Sequence, residues 1–128
     1  MSNQYKPEGY NSVSPYIIID GAQKLIDLLK NAFGAEELRK YNIPNGKIVH
    51  SEVKFDDSVI MISDSNDQYP PMPIVLHLYV PDATAAYKKA VEAGFEPIQE
   101  PIQKNDPDMR GMVKDFQGNI WTIATQQK

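Results

Sequence analysis

Apolar and polar positions follow the same order twice along this 128-residue chain. Residues 12–64 and residues 74–125 each begin with an apolar strand, continue with an amphipathic helix and end with three polar-alternating strands, at a spacing of about 60 residues. The pattern predicts an α+β fold of paired βαβββ modules. Two such modules with curved mixed sheets enclose a cleft that neither copy has alone, and clefts are where ligands bind.

In the first repeat, helical spacing of Leu25, Ile26, Leu28, Leu29 and Phe33 predicts a helix from Ala22 that ends at Gly34. Pro15 indicates an edge position or a bulge near the start of the first strand, Ser12–Ile19. The remaining strands are predicted over Glu37–Ile43, over 47–55 and, after a turn at Asp56-Asp57, through Ile60-Met61-Ile62.

The second repeat begins with the continuous apolar run Ile74–Val80, which predicts a central strand. Asp82 is expected to cap a helix that ends at Gly94. Pro97 and Pro101 predict an edge strand over Glu96–Gln103, and a hairpin turning at 116–118 follows. Proline-rich residues 65–73 connect the repeats, residues 1–11 form an extended tail, and residues 1–128 are expected to fold as a single domain.

Composition and charge limit the partners, the cellular compartment and the metal ligands that are expected. Thirteen basic residues against 17 acidic ones, with pI near 5.1, argue against nucleic acid as a partner. No apolar run reaches the roughly 18 residues of a membrane span, and the first residues lack the apolar core of a signal peptide, so we expect a cytoplasmic protein without a membrane partner. Because cysteine is absent, any metal must bind through His, Asp or Glu.

Several segments resemble one known family. They are 7–10 (PEGY), 13–22 (VSPYIIIDGA), 32–36 (AFGAE), 50–52 (HSE), 59–64 (VIMISD) and 111–121 (GMVKDFQGNIW). In this order they are similar to the PhnB-like branch of the vicinal oxygen chelate superfamily, which includes glyoxalase I, extradiol dioxygenases and bleomycin- and fosfomycin-resistance proteins. The resemblance covers nearly the whole chain and implies paired βαβββ modules.

The resemblance also implies where a metal would bind. Metal-dependent members carry one ligand on the first strand and one on the last strand of each module, and the corresponding residues here are Ser14, Met61, Val75 and Thr122. Zinc, nickel and iron require imidazole or carboxylate ligands, which none of these residues offers. We therefore predict no metal and no other cofactor, and we expect the superfamily's metal-dependent glyoxalase or dioxygenase activity to be absent.

A relocated site is the alternative. Strand alternation and a two-residue turn at Asp56-Asp57 place His50 and Glu52 on the inward face opposite Met61, and His77 on the inward side of the second repeat. These three residues could bind a divalent metal or act as an acid–base set. Alternatively, Glu52 accepts a hydrogen bond from His50, Tyr16 or nearby backbone and has only a structural role.

Other inward residues are candidates for ligand binding. Tyr16, Met61 and Tyr79 form either an apolar ligand wall or plain core, and Thr122 lies on the same inward side. Arg110 either clamps an anionic ligand at the cleft mouth or remains a solvated surface charge. Trp121 alternates away from Thr122 and is expected to pack under a helix.

Three functions remain open. The first is a metal-free protein that binds a small, partly aromatic or amphipathic molecule in the cleft. The second is a metal-dependent lyase, isomerase or thiol transferase using His50, Glu52 and His77. The third is a structural or regulatory module with a collapsed cleft. The resemblance further implies a homodimer, with the modules paired either within one chain or between chains.

Overall fold

The computed structural model describes residues 5–127, which contain two helices and eight strands joined by turns and loops. The first module contains β1 (Tyr16–Ile19), α1 (Ala22–Phe33), β2 (Glu36–Asn42), β3 (Ile48–Phe55) and β4 (Ser58–Asp64). The second contains β5 (Val75–Tyr79), α2 (Ala83–Ala93), β6 (Glu96–Gln103), β7 (Asp108–Lys114) and β8 (Ile120–Gln126). Neither helix is long and apolar enough to cross a membrane. The α+β fold of two βαβββ modules is confirmed.

Each module forms one mixed four-stranded sheet, in the order β1-β4-β3-β2 for the first and β5-β8-β7-β6 for the second. The first strand of each module runs parallel to the last, with Tyr16 opposite Met61 and His77 opposite Thr122. An interval of 61 residues therefore relates both members of each pair. The predicted repeat register is confirmed.

The helix ends follow the sequence signals. Gly34 and Gly94 end the two helices with positive φ, a conformation that glycine adopts without steric cost. The Asp82 carboxylate caps α2 by accepting from Ala85 N. Helix α1 is capped from a distance, since Asp64 at the end of β4 accepts hydrogen bonds from Gly21 N and Ala22 N.

Aromatic side chains from both modules meet in one cluster. Phe33 lies with its ring centroid 6.2 Å from Phe55, 5.5 Å from Phe95 and 6.1 Å from Trp121. Trp121 is almost fully buried on the helix side of the second sheet, as predicted, and its indole N–H donates to Asp115. Helices α1 and α2 also pack against each other. The shared core therefore joins the modules through their helix-covered sides.

The other face of each sheet, turned away from the helices, is called the open face below. On the first sheet, residues 5–14, here called the N-terminal strap, lie over part of it without forming a helix or strand. The predicted tail 1–11 falls partly here, and residues 1–4 lie outside the described part. The carbonyl of Ile18, at the outer edge of β1, accepts a hydrogen bond from Met72 in the connector.

Two strand predictions need correction. Strand β1 begins at Tyr16, not at Ser12, because Pro15 has no N–H to donate and the preceding residues are bent. Strand β5, predicted as central, lies at the edge of its sheet within residues 5–127. The apolar run of β5 predicted burial on both faces, which is wrong because Val75 and Tyr79, on the open face, are 69% and 60% exposed.

Candidate functional site

The most buried charged group on the open face of the first sheet is Glu52, which is 3% exposed. It lies on β3 directly opposite Met61 of β4, as the predicted two-residue turn requires. His50 is two residues along the same strand and so shares this face. Its Nε2 lies 2.8 Å from Glu52 Oε2.

The surroundings of Glu52 keep it ionised. Burial by itself raises the pKa of this carboxyl, but hydrogen bonds from Tyr10 and His50 and the positive charge of Arg39 outweigh burial, so the pKa lies below its usual range. The Arg39 Nε is 3.7 Å from Glu52 Oε1. Glu52 therefore presents a buried negative charge that can only accept hydrogen bonds.

Three tyrosines surround the His50–Glu52 pair. The Tyr10 hydroxyl donates to Glu52 Oε1, and the Tyr16 hydroxyl lies 3.5 Å from His50 Nδ1. Tyr41 stacks on the His50 ring, with centroids 6.2 Å apart. Arg39 lies over the Tyr10 ring at 5.4 Å. Of these residues, sequence reasoning had identified only Tyr16 as a candidate.

A register shift in β2 explains why Arg39 and Tyr41 reach the site. The pairing passes from Glu37 opposite Val53 to Lys40 opposite Ser51, so one extra residue is inserted on β2 between these pairs. The extra residue changes the alternation and brings Arg39 and Tyr41 to the open face. In the sequence, the available signal was that Arg39 and Tyr41 alternate with Lys40. Lys40 lies on the helix side of the sheet, where its Nζ donates to Gln23 Oε1.

Two cavities lie on this open face. One, of about 370 Å³, lies between the N-terminal strap and the sheet, opens to solvent and is lined by Tyr10, Arg39, His50, Glu52 and Met61 among others. The other, of about 450 Å³, is lined mainly by apolar and aromatic side chains, including Tyr16, Ile18, Ile43, Val49 and Tyr69. Tyr16 lines the second cavity and reaches His50 in the first, so it stands between them.

The second sheet carries the other predicted candidates. His77 Nδ1 lies 2.6 Å from the Thr122 hydroxyl, and the Tyr79 hydroxyl donates to Asp108 at 2.6 Å. Arg110 is held by Asp106 at 2.7 Å and approaches Asp108 at 3.6 Å, so its charge is matched locally by two carboxylates. His77 and Tyr79 line a third cavity of about 500 Å³, which lies between β5 and residues 55–60 of the first module and does not include His50 or Glu52.

Met61 and Thr122, the last-strand residues at which the resemblance implies metal ligands, are paired with Tyr16 and His77. Neither pair contains a carboxylate, and only one contains an imidazole, which does not fit a zinc, nickel or iron centre. Within residues 5–127, no group of three or more His, Asp or Glu side chains could hold a metal ion. His50 and Glu52 are together, and His77 is not with them.

The arrangement has a clear binding chemistry. Aromatic rings supply flat apolar surface, and the ionised Glu52 supplies a desolvated acceptor that fixes orientation. In the neutral imidazole, donation from Nε2 to Glu52 leaves His50 Nδ1 as a second acceptor. The site therefore suits an aromatic molecule that carries hydrogen-bond donors.

Comparison with known families and proteins gives consistent matches. The model of the Glyoxalase/Bleomycin resistance protein/Dioxygenase superfamily matches residues 10–123. An uncharacterized protein of Mycobacterium bovis is 28% identical over 127 residues, covering 88% of this chain and 82% of that protein.

Solved structures match over nearly the whole chain. TnmS3, an antibiotic binding protein from Streptomyces sp. CB03234, has a TM-score of 0.70 at 18% identity, with 91% of this chain and 98% of that chain covered. The PhnB protein from Bacillus cereus has a TM-score of 0.66 at 11% identity, with 90% and 99% covered. At such low identity these likenesses concern the fold.

Proposed function

Since the chain belongs to the glyoxalase/bleomycin resistance protein/dioxygenase superfamily, we propose that it is a metal-independent binding protein for a small, partly aromatic or amphipathic molecule. The ligand lies on the open face of the first sheet, over Tyr16 and the His50–Glu52 pair. The observation that carries this proposal is the pair of neighbouring cavities of about 450 and 370 Å³, of which the smaller is lined by the buried carboxylate of Glu52. Cavities of this size that combine apolar surface with hydrogen-bonding side chains are typical of small-molecule sites.

The donor set supports a function without metal. At the two strand pairs equivalent to the superfamily's metal positions, Met61 and Thr122 offer a thioether and a hydroxyl, which are weak ligands for the usual divalent metals. TnmS3, which shares the fold, is by its name an antibiotic binding protein. Binding without catalysis is the function that this set of residues favours.

Within the superfamily we assign the chain to the PhnB-like branch. The support is the ordered set of segments from Pro7 to Trp121 that resembles that branch, together with the fold shared with the Bacillus cereus PhnB protein. This assignment implies a fold and a site position.

A pair of tyrosine variants tests the proposed site. We titrate the protein with 1-naphthol and 1-methylnaphthalene and follow ligand fluorescence. Tyr16→Ala removes the ring between the two cavities and is expected to weaken binding roughly two- to twelve-fold, the worth of an aromatic contact. Tyr79→Ala, on the second sheet, is the matched control and leaves affinity unchanged. Equal weakening in both variants, or no binding of either compound to the wild type, contradicts the proposal.

We also propose that the protein forms a homodimer. Large apolar side chains remain exposed on or beside the open faces, among them Tyr41, Val49, Met72 and Val75 at 49% to 69%. A second copy of the chain would remove these apolar side chains from water. Sedimentation equilibrium is expected to give twice the chain mass of 14.4 kDa. A monomer at tens of micromolar contradicts the dimer.

A further inference from the structure

Both oxygens of Glu52 are engaged by side chains, and the two partners differ in kind. Oε2 accepts from His50, its neighbour on the same strand, while Oε1 accepts from Tyr10 in the N-terminal strap. His50 is fixed by the sheet. Tyr10 arrives from 42 residues away in sequence on a segment without regular structure. The Oε1 position is therefore filled by a group that can leave without unfolding a strand.

The pair presents two acceptor atoms, and each faces a phenol. Glu52 Oε1 binds the Tyr10 hydroxyl, and His50 Nδ1 faces the Tyr16 hydroxyl at 3.5 Å. Burial and the Glu52 charge raise the pKa of Tyr10, so its hydroxyl keeps the proton that it donates. Arg39 lies over the Tyr10 ring, as a guanidinium does over an electron-rich aromatic face. The surroundings of Oε1 are thus those of a bound phenol.

The strap itself is tied to the sheet by few polar contacts. Among residues 5–127, the side-chain hydrogen bond from the strap to the sheet besides that of Tyr10 is made by Asn11 Oδ1, which accepts from Val59 N at 3.0 Å. Lys6 Nζ donates to Ser12 within the strap itself. A cavity of about 370 Å³ already lies between the strap and the sheet. Removal of the Tyr10 side chain from this cavity exposes Glu52 Oε1 to a ligand in the same place.

We propose that the ligand of this site is an aromatic compound with a free hydroxyl group, and that Tyr10 occupies its place at Glu52 as an internal competitor when no ligand is bound. This inference rests on the proposed function and names its ligand class. The hydroxyl of the ligand replaces that of Tyr10 at Oε1, and Arg39 stacks on the incoming ring. The exchange keeps the buried carboxylate hydrogen-bonded throughout.

The reason for selectivity is the buried charge. A compound of the same shape without a donor, on displacing Tyr10, leaves Glu52 Oε1 with only the longer 3.7 Å approach of Arg39 Nε in place of a hydrogen bond. Hydrogen bonds to charged groups are worth enough to give roughly ten- to hundred-fold discrimination. A site built only of apolar contacts would bind the two compounds with similar affinity.

The experiment compares 1-naphthol with its isostere 1-methylnaphthalene, using fluorescence titration of wild type, Tyr10→Phe, Glu52→Gln and Tyr79→Phe. Wild type is expected to prefer 1-naphthol at least ten-fold. Tyr10→Phe removes the competing hydroxyl and is expected to bind 1-naphthol several-fold more tightly than wild type. Glu52→Gln, with folding checked by circular dichroism, is expected to lose most of the preference.

Tyr79→Phe is the matched control, because it removes another tyrosine hydroxyl that donates to a carboxylate, that of Asp108, on the second sheet. It is expected to match wild type with both compounds. Weaker binding of 1-naphthol to Tyr10→Phe overturns the inference, since Tyr10 would then hold the ligand instead of competing with it. Equal affinity of wild type for the two compounds also overturns it and leaves the proposed function intact. Absence of binding by both compounds overturns both.

Discussion

Replacing Phe33 by alanine tests whether the aromatic cluster holds the two modules together. Phe33 ends α1 of the first module and contacts Phe95 and Trp121 of the second as well as Phe55 of its own. Truncation of a fully buried phenylalanine costs about 3–5 kcal/mol. Because Phe33 is only partly buried, we expect the lower end, about 3 kcal/mol.

The expected change in melting temperature follows from chain length. With an unfolding entropy of roughly 2.1 cal/mol/K per residue, 128 residues give about 0.27 kcal/mol/K. A loss of about 3 kcal/mol then lowers the melting temperature by about 11 °C. Thermal unfolding measures the melting temperature, and urea unfolding measures the free energy of unfolding. Both are followed by far-ultraviolet circular dichroism and by the fluorescence of the single tryptophan, Trp121, which lies inside the cluster.

Phe116→Ala serves as the control. Phe116 is 40% exposed and contacts Lys24 at the surface, so its truncation is expected to cost less than about 1 kcal/mol. If Phe33→Ala costs no more than Phe116→Ala, the cluster does not hold the modules together. A double-mutant cycle of Phe33 with Phe95 is expected to give a coupling of about 0.5–1.5 kcal/mol, and zero coupling refutes direct contact across the junction.

Three further predictions concern stability. Because the folded-state pKa of Glu52 is lowered, its ionised form stabilises the fold above the ordinary glutamate pKa, and this stability is lost as pH falls through the lowered pKa. Between about pH 6 and about pH 3, the free energy of unfolding in urea should therefore fall further in wild type than in Glu52→Gln. Equal falls in the two proteins contradict this. Asp64→Ala leaves the N–H groups at the start of α1 and of Ile48 without their acceptor and should cost about 2 kcal/mol, whereas a cost below about 0.5 kcal/mol would show that water replaces the carboxylate. Gly111→Ala places a Cβ 3.1 Å from Gln99 O and should destabilise by about 1–3 kcal/mol, an expectation that an unchanged urea midpoint would refute.

Periodicity predicted the fold because it depends on repeated local signals. Glycine and aspartate residues predicted the ends of both helices and the two-residue turn before β4, and the repeated apolar–polar alternation predicted the 61-residue register. The edge position of β5 was not, because an apolar strand has the same sequence whether its outer face is buried in the chain or exposed as Val75 and Tyr79 are.

The site was predictable only where alternation is unbroken. His50 and Glu52 lie on a regular strand opposite β4, and their placement on one face was predicted. Arg39 and Tyr41 reach the site through an inserted residue in β2, and such a bulge has no fixed sequence signature. Tyr10 reaches it from an irregular segment, whose path depends on tertiary contacts that no local pattern encodes.

Segments outside the helices and strands contact the first half of the repeat. The strap before β1 and the connector after β4 both lie against the first sheet, one over its open face and one at the edge of β1. Because the strap lies over the open face of the first sheet, a substitution there must remain compatible with the chain's own N-terminal segment as well as with the sheet.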